Sequence, residues 1–136
     1  MLLTIERVAL LKRVSLFERT PDRVLAGLAR TLHEETFPRG TTMMVEGTVE
    51  DWLLIIVDGL VRVTHWDRVT ELGNGAVVGE LAVLAGERRV VTVVATTDVH
   101  AFRLSKVDFD EALRTRPEIA EGVIAELVRR LRTRPS

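Results

Sequence analysis

The sequence predicts a mainly β protein with flanking helices: an eight-stranded jelly-roll (double-stranded β-helix) with N-terminal helices before it and two C-terminal helices after it. Three observations carry this. Apolar residues recur at helical spacing at both ends of the chain but not in its middle. Between Phe37 and Leu104, turn signals recur at even intervals between short β-branched runs: Pro38-Arg39-Gly40, Glu46-Gly47, Asp58-Gly59, Gly73-Asn74-Gly75 and Gly86-Glu87. Asp58-Gly59, between the runs Leu53–Val57 and Leu60–Val63, is the strongest hairpin signal in the chain. A chain of 136 residues is one domain's worth. It divides into N-terminal helices over about 1–35, a roll over about 36–104 and closing helices over about 105–133.

The elements follow in order. Leu2, Ile5, Ala9 and Leu10 recur as one face of a first helix. Ser15-Leu16-Phe17 interrupts it, and Thr20-Pro21-Asp22 reads as an N-cap followed by proline at the first helical position. Val24, Leu25, Leu28, Ala29 and Leu32 then form the apolar face of a second helix. After the roll, Ser105 is placed to cap a helix through Val107, Phe109 and Leu113. Arg116-Pro117 restarts the chain as a last helix carrying Ile119, Val123, Ile124, Leu127, Val128 and Leu131.

Composition narrows the chemistry. Nineteen basic against 20 acidic residues give a net charge of −1, so nothing advertises a nucleic-acid surface. The absence of cysteine excludes disulfides, zinc–thiolate sites and thiol catalysis together. The longest apolar run, Trp52–Val57, is far short of the ~20 residues a spanning helix needs. Charged Glu6 and Arg7 stand where a secretory signal would be apolar, so a cytoplasmic location is expected. His33, His65 and His100 stand singly, without the paired spacing a metal-dependent cupin-type enzyme requires. Neither a nucleophile elbow, a Walker lysine nor a dinucleotide fingerprint is present, and Gly73-Asn74-Gly75 reads as a turn. No catalytic residue, metal or cofactor is expected.

The informative stretch runs from Val78 to Val93. Gly79 permits close backbone approach, and Glu80 to Leu84 can form only a short helical turn before Gly86 ends it. Free N–H groups at such a turn favour an anion. Arg88 and Arg89 follow, and a guanidinium matches two phosphate oxygens with parallel hydrogen bonds. Strand parity chooses between them: Arg89 shares a face with Val91, Val93 and Ala95, so it points inward, and Arg88 points outward. On these residues alone two readings stand side by side. Either Arg89 receives a phosphate, or Glu80 and Arg89 form a partly buried ion pair that fixes the roll.

These motifs together resemble the cyclic nucleotide-binding domain family, to which catabolite activator protein, the regulatory subunit of protein kinase A and nucleotide-gated channels belong. The resemblance covers roughly Leu10 to Leu131. Leu16-Phe17, Phe37–Gly40 with Glu46-Gly47, Ile55–Val63 as a central hairpin, and Leu72–Gly75 all fall in the family's order. Gly79-Glu80-Leu81-Ala82 and Arg89 stand where the family has its phosphate-binding cassette. The resemblance implies a pocket for cyclic AMP, in preference to cyclic GMP. Glu80 would accept from the ribose 2′-hydroxyl and Arg89 would neutralise the cyclic phosphate, with backbone N–H groups near Ala82 and Val90 completing the anion site. Leu127, Leu131 and a stacking contact from Arg129 or Arg130 are the candidates for capping the base.

One departure is chemical. Val90 and Val91 stand where the family has a small residue, often hydroxylated, and then alanine. Valine keeps the main-chain N–H but adds methyl groups beside the phosphate and removes any hydroxyl donor. This supports an alternative in which the fold is degenerate and serves as an interaction or dimerisation module. The wide apolar band of the last helix fits a homodimer contact as well as a lid. The arginines near its end, Arg129, Arg130, Arg132 and Arg134, suit the negative end of a helix dipole. No helix-turn-helix pattern is present, so a complete transcription activator is not expected of this polypeptide. The resemblance implies a regulatory domain without enzymatic activity, either a small stand-alone sensor or one working for a linked transporter or helical-repeat domain, with neither nucleic acid nor membrane insertion of its own.

Overall fold

In the computed structural model, the chain is described over residues 2–133, without the side chains of residues 81, 130 and 133. It falls into two compact units, Leu32–Val107 and a helical unit formed by the residues up to Thr31 with those from Asp108 onward.

The first unit is the predicted roll, with eight strands: β1 (His33–Phe37), β2 (Thr42–Met44), β3 (Trp52–Asp58), β4 (Val61–His65), β5 (Arg68–Leu72), β6 (Val77–Val78), β7 (Thr92–Ala95) and β8 (Val99–Ser105). They form two antiparallel four-stranded sheets, ordered β1-β8-β3-β6 and β2-β7-β4-β5. Alternate residues of both sheets meet in one core: Leu54, Ile56, Val78, Val99 and Ala101 from the first, and Met44, Val61, Val93 and Ala95 from the second. Each such valine or leucine contributes about 1.5–3 kcal/mol by leaving water. β1 begins at His33, ahead of the expected start, because the polar-looking run His33–Phe37 pairs along its whole length with β8.

Asp58-Gly59 does not make the expected hairpin. β3 pairs with β6 and β8, whereas β4 pairs with β5 and β7, so the turn carries the chain from one sheet to the other. The glycine is required there because φ is +111° and a Cβ would lie 2.4 Å from the Asp98 carbonyl oxygen. The true hairpin is β4–β5, turning at Trp66-Asp67, with Trp66 at φ +58° and 80% exposed.

The helical unit contains α1 (Thr4–Leu11), a 3-10 turn (Ser15–Phe17), α2 (Asp22–Ala29) and α5 (Pro117–Thr133), together with α4 (Lys106–Thr115) from Asp108 onward. Its buried apolar residues include Leu11, Leu16, Phe17, Leu25, Leu28, Phe109, Ile119 and Val123. Three local expectations are corrected. Leu11, with Arg7 and Val8 half-buried, forms the inner side of α1, while Ile5 and Ala9 are exposed. Pro21, not Thr20, is the N-cap of α2; Thr20 is fully buried, its carbonyl accepts from Lys12 Nζ at 2.6 Å, and its hydroxyl has no partner. Phe109 and Ala112 are the buried residues of α4, and Val107 is 69% exposed.

Candidate ligand-binding site

Within the roll, the segment from Val78 to Val91 shapes a cavity of about 150 Å³. A short helix, α3 (Glu80–Ala85), opens at Gly79 and ends at Gly86. Val63 of β4, Leu72 of β5 and Val77–Val78 of β6 supply apolar wall. Gly79, Glu80, Ala82, Arg89, Val90 and Val91 supply the rest, so the structure brings together these cassette residues that the sequence singled out. Leu81 has its main chain in α3, but its side chain lies outside the described residues.

Gly79 is held at φ +89°, a left-handed conformation that costs side-chain-bearing residues about 1–2 kcal/mol. A Cβ there would also sit 2.5 Å from Arg89 Nη1 and 2.8 Å from Met44 Cε. The glycine therefore sets the turn and makes room for the arginine at once.

Arg89 lies in the extended link between α3 and β7. Its main chain is stitched to the loop before β3: its N–H donates to Thr48 O at 2.8 Å, and Gly47 N–H donates to its carbonyl at 2.9 Å. Parity continues across this link. Arg89, Val93 and Ala95 are buried, Val91 is half-buried, and Arg88 and Val90 face solvent, with Arg88 Nη1 donating to Gly47 O at 3.2 Å.

The guanidinium of Arg89 is only 2% exposed. Nη1 donates to Gly79 O at 3.2 Å and Nη2 to Trp52 O, while the buried Nε has no partner. Among the described residues, no carboxylate lies within ion-pair distance of it. Burial pushes its pKa below the ordinary arginine value, and the negative charges of Glu50 and Asp51 oppose that shift. The group stays charged at any pH a folded protein meets. Glu80, 8% exposed, lines the same cavity. A buried cation short of one hydrogen bond and without an ion-pair partner, beside a carboxylate and apolar walls, is suited to a ligand with an anionic end, a hydroxyl and a flat apolar end.

Sequence reasoning did not find Trp52, whose ring centroid lies 4.6 Å from the Arg89 guanidinium carbon. The only local signal was an aromatic residue opening the longest apolar run, next to Glu50-Asp51. The candidate capping residues belong to α5 of the helical unit. Leu127 is half-buried, Leu131 is 67% exposed, and the Arg130 side chain lies outside the described residues. On the same helix Glu126 is buried and accepts from Arg129 at 2.9 and 2.6 Å, a pairing that raises the Arg129 pKa. The three histidines form no cluster, and no group of three metal-ligating side chains occurs among the described residues. No described helix is long and apolar enough to cross a membrane.

Comparison with known proteins gives this geometry its relatives. A cyclic nucleotide-gated potassium channel of Rhizobium etli is 36% identical over 114 residues, covering 84% of this chain and 32% of the channel. A CRP-like cAMP-activated global transcriptional regulator of Mycobacterium tuberculosis is 30% identical over 129 residues, covering 90% of this chain and 58% of the regulator. The chain thus spans about a third of the one and a little over half of the other. Among solved structures, the catabolite activator protein of Thermus thermophilus superposes with a TM-score of 0.78 at 27% identity, over 87% of this chain and 58% of that one. The family model described as cyclic nucleotide-binding domain matches residues 34–116, from β1 through α4 and past the whole cassette. With the two-sheet roll, the left-handed glycine and the inward arginine in that order, the chain belongs to the cyclic nucleotide-binding domain family.

Proposed function

We propose that this domain binds a cyclic nucleoside monophosphate and regulates a linked protein, with no catalytic step of its own. The observation that carries the reading is the buried Arg89 guanidinium, which lines a cavity with Glu80 and has no carboxylate within ion-pair distance among the described residues. Arg89 takes the cyclic phosphate, Glu80 accepts from the ribose 2′-hydroxyl, and Gly79, Leu81 and Ala82 shape the main chain around the anion. Val63, Leu72 and Val77 flank the base. Because those walls are apolar, cyclic AMP is favoured over cyclic GMP, whose guanine brings more polar groups to leave unpaired. The Mycobacterium tuberculosis relative is by name cAMP-activated.

Closure of α5 is the proposed output, with Leu127, Arg130 and Leu131 as candidates to cap the base. The exposed stripe Ile124, Val128 and Leu131 is equally a surface for a second copy, and a homodimer belongs to the same proposal. A linked transporter, a channel above all, fits the Rhizobium etli relative. The degenerate alternative rests on Val90 and Val91, both of which line the cavity. Its structural role for Arg89 calls for an ion pair with Glu80. Arg89 instead donates to main-chain carbonyls, which favours the binding reading.

Calorimetric titration with cyclic AMP and cyclic GMP, with non-cyclic AMP as control, tests this. One-site binding is expected, weakened about 100-fold or more in Arg89→Met, because a charge-assisted contact is worth about 2–5 kcal/mol. Silence up to millimolar ligand from a folded sample overturns it. In the degenerate reading the same variant instead loses about 3–5 kcal/mol of stability, the cost of breaking a buried pair.

A further inference from the structure

A buried arginine is ordinarily held by a carboxylate, and that partner cancels the charge a ligand would use. Arg89 has none within ion-pair range among the described residues, yet its side chain is placed closely enough to reach two carbonyl oxygens. Its guanidinium carbon lies 4.6 Å from the centroid of the Trp52 ring, inside the range of a cation–π contact. The same ring has a second cation against it, Arg103, at 4.4 Å. Arg103 is neutralised by Glu35, which accepts from its Nη2 at 2.8 and 3.0 Å between the neighbouring strands β1 and β8. One indole thus touches two guanidiniums of opposite status, one paired and one unpaired.

We infer that Trp52 is the positioning residue of Arg89: the indole face takes the place of an ion-paired carboxylate, holding the guanidinium while leaving it open to an anion. The π quadrupole attracts a cation without supplying a countercharge. Arg103, already paired with Glu35, packs against the same ring. This rests on the reading that Arg89 receives the ligand's phosphate.

The test uses the chain's two tryptophans. Trp66 stands exposed at the β4–β5 turn, so Trp66→Phe leaves Trp52 as the sole fluorophore. In that background, adding Arg89→Met should shift Trp52 emission whether or not any ligand binds; identical spectra overturn the inference. In the otherwise unchanged chain, Trp52→Leu should weaken cyclic AMP binding about 10-fold or more, and Trp52→Phe should restore it to within about 3-fold. Circular dichroism should be unchanged in both. A folded Trp52→Leu variant that binds like the parent overturns the inference. If the parent binds no cyclic nucleotide, the functional reading fails by itself, and the emission comparison still decides whether Trp52 holds Arg89. It decides equally if Trp52→Leu does not fold.

Discussion

Residues 78–91 of the roll and residues 117–133 of the helical unit are built on different terms. In the first stretch a left-handed glycine, a six-residue helix and a fully buried arginine are fixed by main-chain bonds within the roll. In the second, Ile119 and Val123 are buried, whereas Ile124, Val128 and Leu131 are left in water along one side of the helix. The difference follows from the forces involved. A charge–phosphate contact works only when donors are already desolvated and aimed, so the folded chain must commit to it in advance. Apolar cover is non-directional and can be supplied by whatever surface arrives. On the proposed reading, anion recognition is therefore local to the cassette.

Three substitutions break or sharpen that contrast, beyond those at Arg89 and Trp52. Gly79→Ala should have the largest effect. The left-handed φ and the close approach to Arg89 Nη1 and Met44 Cε together should cost about 3 kcal/mol in urea unfolding and abolish cyclic AMP binding. A loss below about 1 kcal/mol would mean that the cassette is not preset. Val90→Ser should be milder and opposite in sign for binding. Because Val90 is 39% exposed, stability should hold within about 0.5 kcal/mol, while a new hydroxyl donor beside the phosphate tightens cyclic AMP about 3- to 10-fold by calorimetry. Leu131→Ser should be smallest. Unliganded stability should not change by more than about 0.5 kcal/mol, and affinity should fall by no more than about 5-fold if α5 closes over the base.

The cassette was legible in the sequence because its signals are short-range. Alternation along Arg89–Ala95 reports which side chains face inward wherever one face of a sheet is buried. The glycines at 79 and 86 bracket a helix too short to be anything else. Asp58-Gly59 misled because a two-residue reversal says that the chain turns, not which sheet receives the next strand. What demands glycine there is the passage of residues 97–99 against it. Trp52 was illegible for the same reason. Its meaning lies in Arg89 and Arg103, each dozens of residues away, brought to one ring by the pairing of β3 with β8 and the return of the link after α3. The stripe on α5 was visible as a period, but a period does not say which half of the band is covered.

The two main-chain bonds that pin Arg89 to Gly47 and Thr48 have an evolutionary corollary. They use no side chain of the loop, so Glu46 can change without altering either bond, whereas the Thr48 hydroxyl holds the turn itself by donating to Val45 O at 2.6 Å. Inserting or deleting a single residue between Val45 and Asp51 would slide both bonds out of register and swing the guanidinium away from the indole. Among descendants that keep the site, that loop should hold its length and its Gly47, whose φ is +87°, and vary at Glu46 and Val49.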